Sequence, residues 1–445
     1  MINNNLQQSF NSENFIKIFY EENRKGFYIE SAYNIFKPVK KITDSISEIN
    51  KKFKSGEYKD KDKSKLKANR VKNKLKNKKY KKLKKIFEEL EDVNIQVSLN
   101  NKNEINNKTV YGITELKDPD KPEVFFALKQ IQKNIKKSFG IQLADRYVIV
   151  KQVINMLNDD MPKIVIRTDI KSFFESVPHK KLKNKLSKNH ILNHQSKKII
   201  DEILERYQQL SNTNKGIPRG VGISSYLAEL YMRDIDNKIK ALPNLTYYAR
   251  YVDDIVLIFT PKTKYDKVCY LKKIVGIVEN EELKLNKDKT KSYNLCEDNN
   301  IKLDFLGYEI SKQDKNPKIN VSLTNSKIQK YRKKIKSVIE DYENTKLITE
   351  YQARRLLKNR LKYLTGNTRL LNAKKDILIG IYFSNILLTN TNQLDGLDKY
   401  LQNKLPTELH DKFKKYTFKQ GFIDRKFYKF NKKQFKNILS IWKKV

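Results

Sequence analysis

The sequence predicts an α+β fold, in which an antiparallel sheet with packed helices is preceded and followed by basic helical segments. Three observations support this prediction. Strand-like runs of branched and aromatic residues occupy the middle of the chain, at residues 163–169 and 247–259. An acidic turn divides the second run into two strands. Apolar residues at helical spacing, mixed with lysine and arginine, predominate near both ends of the chain.

The first 89 residues are predicted to form an N-terminal extension with a basic helical arm. Residues 51–86 contain 18 Lys or Arg against three acids. Apolar residues recur in this part at roughly helical intervals, which predicts a basic amphipathic helix: Leu66, Val71, Leu75, Tyr80, Leu83 and Phe87. Such an arm suits the phosphates of RNA or DNA. A solvated linker is the alternative interpretation.

The next segments lead into the predicted sheet. Residues 90–162 are expected to form short strands and then a helix that starts near Asp145. The run from Lys163 to Asp169 is predicted to be a mostly buried strand that ends on a carboxylate. A helix should begin around Pro178, because proline is tolerated in the first turn of a helix.

The most informative segment is Tyr251-Val252-Asp253-Asp254, where two acids interrupt a β-rich run. One strand should end near Val252 and the next should begin near Ile255. A lone pair of aspartates is more often a solvated turn. Asp169 supplies a third carboxylate, however, and close carboxylates repel each other unless a cation neutralises them. Carboxylates, water and substrate phosphates are ligands that Mg²⁺ prefers, and two such ions support nucleotidyl transfer.

Five motifs follow one another between residues 140 and 310: Asp169 with Phe173-Phe174, Gly216 to Glu229, Tyr251 to Asp254, Leu283 to Thr290, and Phe305 to Tyr308. Together they resemble the palm of a reverse transcriptase. The resemblance implies a right-hand polymerase with fingers at 90–162, a catalytic palm at 163–312 and a helical basic thumb at 313–445. The thumb helices are expected near 325–342, 348–364 and 370–390.

The resemblance also implies the catalytic and metal-binding residues. Asp169, Asp253 and Asp254 would be catalytic. With the backbone carbonyl of Ile170 they would bind two Mg²⁺ ions, for which Mn²⁺ is the alternative. Phe174 matches the aromatic steric gate that favours deoxynucleotides, and a core phenylalanine is the alternative interpretation.

Further substrate contacts follow from the same resemblance. Arg146 matches a basic position that contacts the triphosphate or the template, and Lys289 would lie near the triphosphate. Gly220 lets its loop approach the substrate closely. Phe305, Leu306, Gly307 and Tyr308 resemble the primer-grip hairpin. For these residues an ordinary surface or turn position is the alternative.

The chain departs from the common family pattern at the loop after Gly216. Arg219 stands where the family commonly has Gln, so an Arg that grips a phosphate is an alternative to template contact. Ser224-Ser225 replaces Ser-Pro. Both departures resemble bacterial abortive-infection and defence-associated reverse transcriptases.

The similarity to defence enzymes extends to short segments outside the palm. Three of them resemble the first polymerase of the third defence type, which encodes two reverse transcriptases: Gln8-Ser9-Phe10, Asn23 to Gly26, and Gly380 to Phe383. The resemblance implies an antiviral role, a non-coding RNA template, deoxynucleotide substrates and a DNA product. It also implies a second reverse transcriptase as partner, while the sequence leaves open whether the chain forms an oligomer.

Composition agrees with a nucleic-acid partner. The chain has 93 Lys plus Arg against 51 Asp plus Glu, a formal net charge of +42, which is typical of polyanion binders.

Cys269 and Cys296 lack the spacing of a zinc site or a disulfide framework. The N-terminus lacks the architecture of a signal peptide, and the apolar stretch from Ile377 to Leu388 is too short to span a bilayer. We therefore expect a cytoplasmic protein without a membrane partner.

Two other functions are consistent with the sequence. One is a template-independent or protein-primed DNA polymerase of the abortive-infection type, for which 25 tyrosines offer priming hydroxyls. The other is a non-catalytic RNA-binding scaffold built on a polymerase fold. The three intact carboxylates favour an active enzyme over the scaffold.

Overall fold

The structure is a computed structural model of the chain. It describes residues 8–55, 63–91, 93–105, 108–142, 144–159, 161–188, 191–262, 269–295, 297, 300–313, 316–370 and 377–443. The chain divides into two compact units. Unit 1 comprises Met1–Leu143, Ile170–Ala241 and Lys272–Asn286, and unit 2 comprises Ala144–Asp169, Leu242–Leu271 and Lys287–Val445. The four predicted domains remain predictions, and Cys296 lies outside the described residues.

Unit 1 begins with helices around an aromatic core. Phe15, Phe19, Phe36, Phe87 and Phe126 are buried, and the rings of Phe87 and Phe126 meet edge to face at 4.8 Å. Such contacts stabilise a core beyond the area that they bury. The elements are α1 (Ser12–Arg24), α2 (Ile29–Ala32), α3 (Lys37–Lys54), α4 (Lys63–Glu91), β1 (Leu99–Ile105), β2 (Lys108–Ile113) and α5 (Pro122–Phe139).

Helix α4 confirms that the basic segment is helical, and its buried residues are Ala68 and, near its C-terminal end, Leu83, Ile86, Phe87 and Leu90. Leu83 and Phe87 are buried, whereas Leu66, Val71 and Tyr80 are exposed. The apolar spacing therefore predicted the helix correctly, but only some of the apolar residues that it marked are buried. The physical reason is that the aromatic core of unit 1 extends along the last turns of α4 and not along its whole length.

Helix α5 was not predicted, since residues 90–162 were expected to hold short strands before the helix at Asp145. Two local signals mark it. Pro122 lies in its first turn, and Gly140 follows its last turn with a positive φ of 62°. Proline at the start and glycine just past the end are typical helix boundaries.

The remaining elements of unit 1 are helices. Helix α8 (His179–Lys188) begins directly after Pro178, as the sequence predicted. A single short turn of helix, α7, precedes it. The elements are α7 (Phe173–Ser176), α8 (His179–Lys188), α9 (His194–Ser211), α10 (Ser224–Lys240) and α11 (Tyr270–Asn280), of which α11 begins in unit 2.

Unit 2 contains the predicted sheet. Its strands are β3 (Ile164–Asp169), β4 (Leu245–Tyr251), β5 (Asp254–Phe259) and β6 (Lys291–Asn294). They lie in the order β4-β5-β3-β6, and every pair is antiparallel. Helix α6 (Arg146–Leu157) packs Val150 and Val153 against Val165 and Val256 of the sheet. The prediction of an α+β fold is confirmed, and the hairpin turn lies where the sequence placed it.

A second antiparallel sheet and a helical region complete unit 2. The sheet contains β7 (Ile301–Phe305), β8 (Tyr308–Gln313) and β9 (Asn316–Leu323). Helices α12 (Asn325–Lys346) and α13 (Glu350–Thr365) confirm two of the three helices predicted for the thumb. The other elements are β10 (Asn367–Arg369), β11 (Leu378–Gly380), α14 (Asn392–Lys404), α15 (His410–Phe413), α16 (Phe418–Ile423) and α17 (Lys432–Leu439).

The helix predicted at 370–390 is wrong for the part that is described. Residues 377–390 contain strand β11, which pairs with β10, followed by turns. Gly380 has a φ of 132° and lies against the backbone of Gly366 and Asn367, where a Cβ would collide. An apolar run that includes such a glycine cannot continue as a helix. In the described part of the chain, no helix has the length and apolar content needed to cross a membrane.

Candidate active site

The main sheet of unit 2 brings the three predicted carboxylates together. Asp169 ends β3 and pairs in register with Asp254, the first residue of β5. Asp253 lies in the turn between β4 and β5, next to Val252, whose φ is 60°. A non-glycine residue with positive φ is uncommon and belongs to tight turns. All three side chains therefore start from one end of the same sheet.

Burial and crowding oppose ionisation at this end of the sheet. Burial raises the pKa of the Asp254 carboxyl, and the nearby charges of Asp253 and Asp169 raise it further, while Arg167 acts in the opposite direction. Like charges in a poorly solvated place raise carboxyl pKa values in this way. The arrangement therefore favours the binding of a cation.

Two basic residues of unit 2 already contact these carboxylates. Arg167 Nη2 donates to Asp254 Oδ1 at 2.8 Å, and Arg167 Nη1 donates to the carbonyl oxygen of Lys289 at 2.9 Å. Lys289 Nζ donates to Asp169 Oδ2 at 2.6 Å. Lys289, predicted to lie near the triphosphate, thus lies against a catalytic candidate.

Sequence reasoning missed Arg167, although a signal was present. Side chains two residues apart on a strand point to the same face, so Arg167 lies on the face of Asp169. Arg167 pairs in register with Val256, which makes Asp254 its diagonal neighbour on the next strand. Long side chains reach such diagonal neighbours. The pattern Arg167-Thr168-Asp169 opposite an acidic hairpin could therefore have indicated this ion pair.

The carboxylates fit a divalent cation. Asp169 Oδ1 is buried and accepts no hydrogen bond from any described residue, which leaves a hard oxygen donor unsatisfied. Within the described ranges, no group of three or more His, Cys, Asp or Glu side chains is already gathered as metal ligands. Lys289 and Arg167 each contact one carboxylate, so a metal at Asp169 would displace or share the Lys289 contact.

Ile170 and Phe174 lie in unit 1, where the chain continues from Asp169. Ile170 is buried and forms an isolated antiparallel bridge with Leu285. Phe174 is half-buried in α7 and meets the ring of Phe173 edge to face at 5.8 Å. The structure does not test a metal contact by Ile170 or a sugar contact by Phe174, and both stay predictions.

The loop that contains Arg219 and Gly220 is tightly held in unit 1. The guanidinium of Arg219 lies 4.6 Å from the ring centroid of Phe174 and forms a two-point ion pair with Glu175. Gly220 has a φ of 89°, and a Cβ there would lie 2.6 Å from the carbonyl oxygen of Tyr111. Only glycine fits this position without strain. Sequence reasoning did not assign Glu175 to the site.

The predicted primer-grip segment is a hairpin between β7 and β8. Leu306 and Gly307 form its turn with φ values of 47° and 80°, as expected of a two-residue hairpin turn. Arg146 Nε donates to the carbonyl oxygen of Leu306 at 2.8 Å, and its guanidinium lies 5.0 Å from the ring centroid of Tyr308. Arg146 therefore lies at this hairpin, and contact with the triphosphate or template stays a prediction.

A second cation contacts the same hairpin. Lys327 Nζ lies 4.9 Å from the ring centroid of Tyr308 and donates to the carbonyl oxygen of Ser384. Burial, together with the nearby positive charges of Arg146 and Lys330, lowers the pKa of Lys327 to about 7. No carboxylate of the described chain forms an ion pair with Arg146 or Lys327. Sequence reasoning missed Lys327, which follows the hairpin by 20 residues and is one of many lysines.

Comparison with known proteins agrees with the motifs. A family model described as "Reverse transcriptase (RNA-dependent DNA polymerase)" matches residues 59–310, which is more than half of the chain. No curated protein sequence matches the chain.

Several solved telomerase structures are weakly similar. Apo telomerase from Candida tropicalis, truncated from its C-terminal domain, has a TM-score of 0.39 and 14% identity, over 49% of this chain and 52% of that chain. Apo telomerase from the same organism has a TM-score of 0.39 and 13% identity, over 75% and 59%. Telomerase from Candida albicans in complex with the TWJ fragment of telomeric RNA has a TM-score of 0.36 and 12% identity, over 75% and 59%. The chain thus spans between about half and three fifths of these proteins.

The family match includes the strands and hairpins that position the carboxylates, and the family is described by RNA-dependent DNA polymerase activity. The chain belongs to the reverse transcriptase family. The predicted fold class and enzyme class are thereby confirmed. Members of this family generally use divalent metal ions, in agreement with the unsatisfied oxygen of Asp169.

Proposed function

We propose that the chain extends the 3′ end of a primer with deoxynucleotides on an RNA template, with Asp169, Asp253 and Asp254 as its catalytic carboxylates. The main support is the register of β3 and β5, which pairs Asp169 with Asp254 beside Asp253 in the turn. Bound Mg²⁺, as two ions or with Mn²⁺ as the alternative, would lower the pKa of the attacking 3′-hydroxyl and stabilise the leaving pyrophosphate.

The cations at the carboxylates have distinct roles in this proposal. Arg167 stays on Asp254, because it is mostly buried and also bonds the backbone at Lys289. Lys289 is 55% exposed, so it can leave Asp169 when a metal binds there. The released ammonium would then donate a proton to the leaving pyrophosphate. The carbonyl of Ile170 would be a further metal ligand.

Sugar selection is assigned to Phe174. An aromatic ring five residues beyond the first catalytic aspartate is the steric gate of the family. The half-buried ring leaves part of its surface open to a ligand. A nucleotide with a 2′-hydroxyl would collide with this ring, so deoxynucleotides would be the substrates.

The primer backbone is assigned to the hairpin from Phe305 to Tyr308. Arg146 and Lys327 place two cations without a carboxylate partner on its Tyr308 ring. Desolvated cations that repel each other bind an anion favourably, and a sugar–phosphate backbone supplies one. In this proposal residues 90–162 act as fingers, 163–312 as palm and 313–445 as thumb.

The arm of the N-terminal extension (residues 1–89) is assigned to the RNA backbone. Between residues 63 and 85, α4 contains 13 Lys or Arg and no acid, and most of these side chains are exposed. A helix of 29 residues is about 43 Å long. Changing Lys74, Lys78 and Lys81 together to Gln should weaken RNA binding and lower its salt dependence.

A matched control for the arm changes three exposed lysines elsewhere in unit 1. The triple change of Lys180, Lys188 and Lys198 to Gln removes the same charge from α8 and α9. Fluorescence anisotropy with a labelled RNA duplex over a range of salt concentrations compares the two proteins. An equal loss of RNA affinity in the two triple variants would mean that α4 has no special role in RNA binding.

The biological role that we propose is antiviral defence in bacteria, in the cytoplasm. The support is the set of short segments and the departures at Arg219 and Ser224-Ser225 that resemble defence-associated enzymes. A non-coding RNA template, a second reverse transcriptase as partner and an oligomeric complex belong to the same proposal.

The experiment that tests the function is to purify the protein and its Asp253→Asn, Asp254→Asn form from host cells and to sequence the bound RNA and DNA. We expect one defined RNA with both proteins, and DNA complementary to it only with the wild type. DNA unrelated to any bound RNA would favour template-independent or protein-primed synthesis. RNA without DNA in both, together with retained biological activity of the variant, would favour the scaffold.

A further inference from the structure

We infer that Arg219 is a positioning residue that sets the selectivity for deoxynucleotides, because it fixes the ring of Phe174 and is itself held by Glu175. The inference rests on the proposed role of Phe174 as steric gate. It gives a function to the residue that replaces the common glutamine of the family.

Arg219 contacts both of its partners in a defined geometry. Its Nη2 donates to Glu175 Oε2 at 3.0 Å and its Nε donates to Glu175 Oε1, so the guanidinium is bound at two points. Its Cζ lies 4.6 Å from the centroid of the Phe174 ring. A planar guanidinium can hold a carboxylate at its edge and an aromatic ring at its face at the same time.

The ion pair argues against a phosphate grip by Arg219. Hydrogen bonds from Arg219 and its positive charge hold the pKa of Glu175 below the usual range despite burial, so Glu175 stays ionised. Its carboxylate neutralises the guanidinium locally. A phosphate would therefore have to compete with an existing two-point partner. The cation is better placed to restrain the ring than to bind a second anion.

The backbone on both sides of Arg219 is anchored as well. The carbonyl oxygen of Arg219 accepts from Tyr111 N at 2.7 Å, and Ile217 N donates to the carbonyl oxygen of Phe174 at 2.6 Å. Gly220 allows strand β2 to approach, because a Cβ there would collide with the carbonyl of Tyr111. The loop thus holds Arg219 and Phe174 in fixed relation from both ends.

A restrained ring should discriminate between sugars better than a free one. Phe173 packs against one part of the Phe174 ring and the Arg219 guanidinium against another. Without the guanidinium the ring gains freedom to move away from a 2′-hydroxyl. The collision that excludes ribonucleotides would then cost less, so kcat/KM for ribonucleotides would rise relative to kcat/KM for deoxynucleotides.

The test is steady-state primer extension by the full chain on an RNA template, with dGTP and GTP compared through kcat/KM. The variants are Arg219→Gln, Arg219→Lys, Glu175→Gln and Phe174→Ala, and Arg206→Gln is the control on the exposed face of α9. We expect Arg219→Gln to lower the dGTP preference roughly tenfold, the effect of losing one desolvated stacking contact of this kind. Phe174→Ala should lower the dGTP preference further. In the double variant, Arg219→Gln should change the preference of Phe174→Ala little.

Arg219→Lys separates positioning from phosphate binding. Lysine keeps the charge but loses the planar fork, so it should relax selectivity nearly as much as glutamine does. If lysine preserves selectivity and glutamine instead raises KM for dGTP and GTP equally, Arg219 grips a phosphate and the inference is wrong. Wild-type selectivity in Glu175→Gln would also contradict it. Failure of the wild type to extend any primer would instead contradict the proposed function, which keeps the two failures distinct.

Discussion

The two hairpins of unit 2 have similar turns and opposite charges. The acidic hairpin, between β4 and β5, contains Asp253 and Asp254, and the basic hairpin, between β7 and β8, is contacted by Arg146 and Lys327. Each has a tight turn with a positive φ at a non-glycine residue. The backbone conformation of the two turns is therefore similar, and the difference in charge comes from their side chains and from those of neighbouring elements.

The hairpins also differ in how their charges are balanced. At the acidic hairpin Arg167 pairs with Asp254, and Lys289 pairs with Asp169 on the adjacent strand β3, so part of the carboxylate charge is neutralised. At the basic hairpin no carboxylate of the described residues pairs with Arg146 or Lys327, and burial lowers the pKa of Lys327 to about 7. At the acidic hairpin a metal ion can therefore replace a side-chain cation. The basic hairpin can bind an anion such as a phosphate.

The largest effect should come from neutralising the acidic hairpin. We expect Asp253→Asn to lower the rate of nucleotide addition roughly 10³-fold or more, because the developing charge in the transition state loses its metal-binding carboxylate. Single-turnover primer extension measures the rate. Unchanged thermal stability and RNA binding would confirm that the variant is folded. A rate within tenfold of the wild type would remove Asp253 from the catalytic set.

Removing one cation from the basic hairpin should have the next largest effect. Arg146→Gln and Lys327→Gln should each weaken binding of a primer–template duplex roughly tenfold and reduce the slope of log affinity against log salt by about one. Lys336→Gln, on an exposed face of α12 where Lys336 pairs with Glu340, is the control. Anisotropy titrations at several salt concentrations give both quantities. Equal salt slopes in all three variants would mean that the hairpin does not contact phosphate.

The low pKa of Lys327 predicts how stability depends on pH. Its pKa of about 7 in the folded protein lies below the ordinary value of 10.5, so the unfolded state binds more protons between these two values. The cost of burying the ammonium is therefore full below pH 7 and disappears as the pH rises towards 10.

Lys327→Met should consequently stabilise the protein more at pH 6 than at pH 10, with a difference on the order of 1 kcal/mol after allowance for partial exposure. Urea unfolding at both pH values measures it, and Lys336→Met, at a 66% exposed side chain, is the control. An equal gain at both pH values would show that Lys327 keeps an ordinary pKa.

The smallest effect concerns the cation exchange at Asp169. Lys289→Gln removes the partner of a buried carboxylate, so it should lower Tm in a chelator by about 2–4 °C. Added Mg²⁺ should then raise Tm more in this variant than in the wild type, because no ammonium competes for Asp169. Lys287→Gln, at an exposed neighbour, should respond like the wild type. If Lys289→Gln responds to Mg²⁺ no more than the wild type does, Lys289 does not compete with the metal.

The acidic hairpin was predictable from sequence because its signals are local. Branched and aromatic residues set the two strands, and Asp253-Asp254 interrupts them at the turn. The same local rules predicted α12 and α13. They failed at 377–390, because the conformation of Gly380 is set by close contact with Gly366.

The partners of the hairpins were harder to predict because they come from elsewhere in the chain. Lys327 is a lysine among many, and only the folded chain brings it against Tyr308. Arg219 was noticed as a departure from the family pattern, but its contact with Glu175 depends on a loop closing over α7. The identity of the side chains was enough to predict the chemistry of the site. Which distant residues contact each other could be seen only in the structure.

The most direct test of the central claim is primer extension on a defined RNA template with deoxynucleotides and Mg²⁺, in parallel for the wild type and Asp253→Asn. We predict a DNA product complementary to the template from the wild type only, and none when a chelator replaces Mg²⁺. Template-dependent synthesis by Asp253→Asn at the wild-type rate would contradict the assignment of the carboxylates. Wild-type product that ignores the template sequence would contradict RNA-directed synthesis itself.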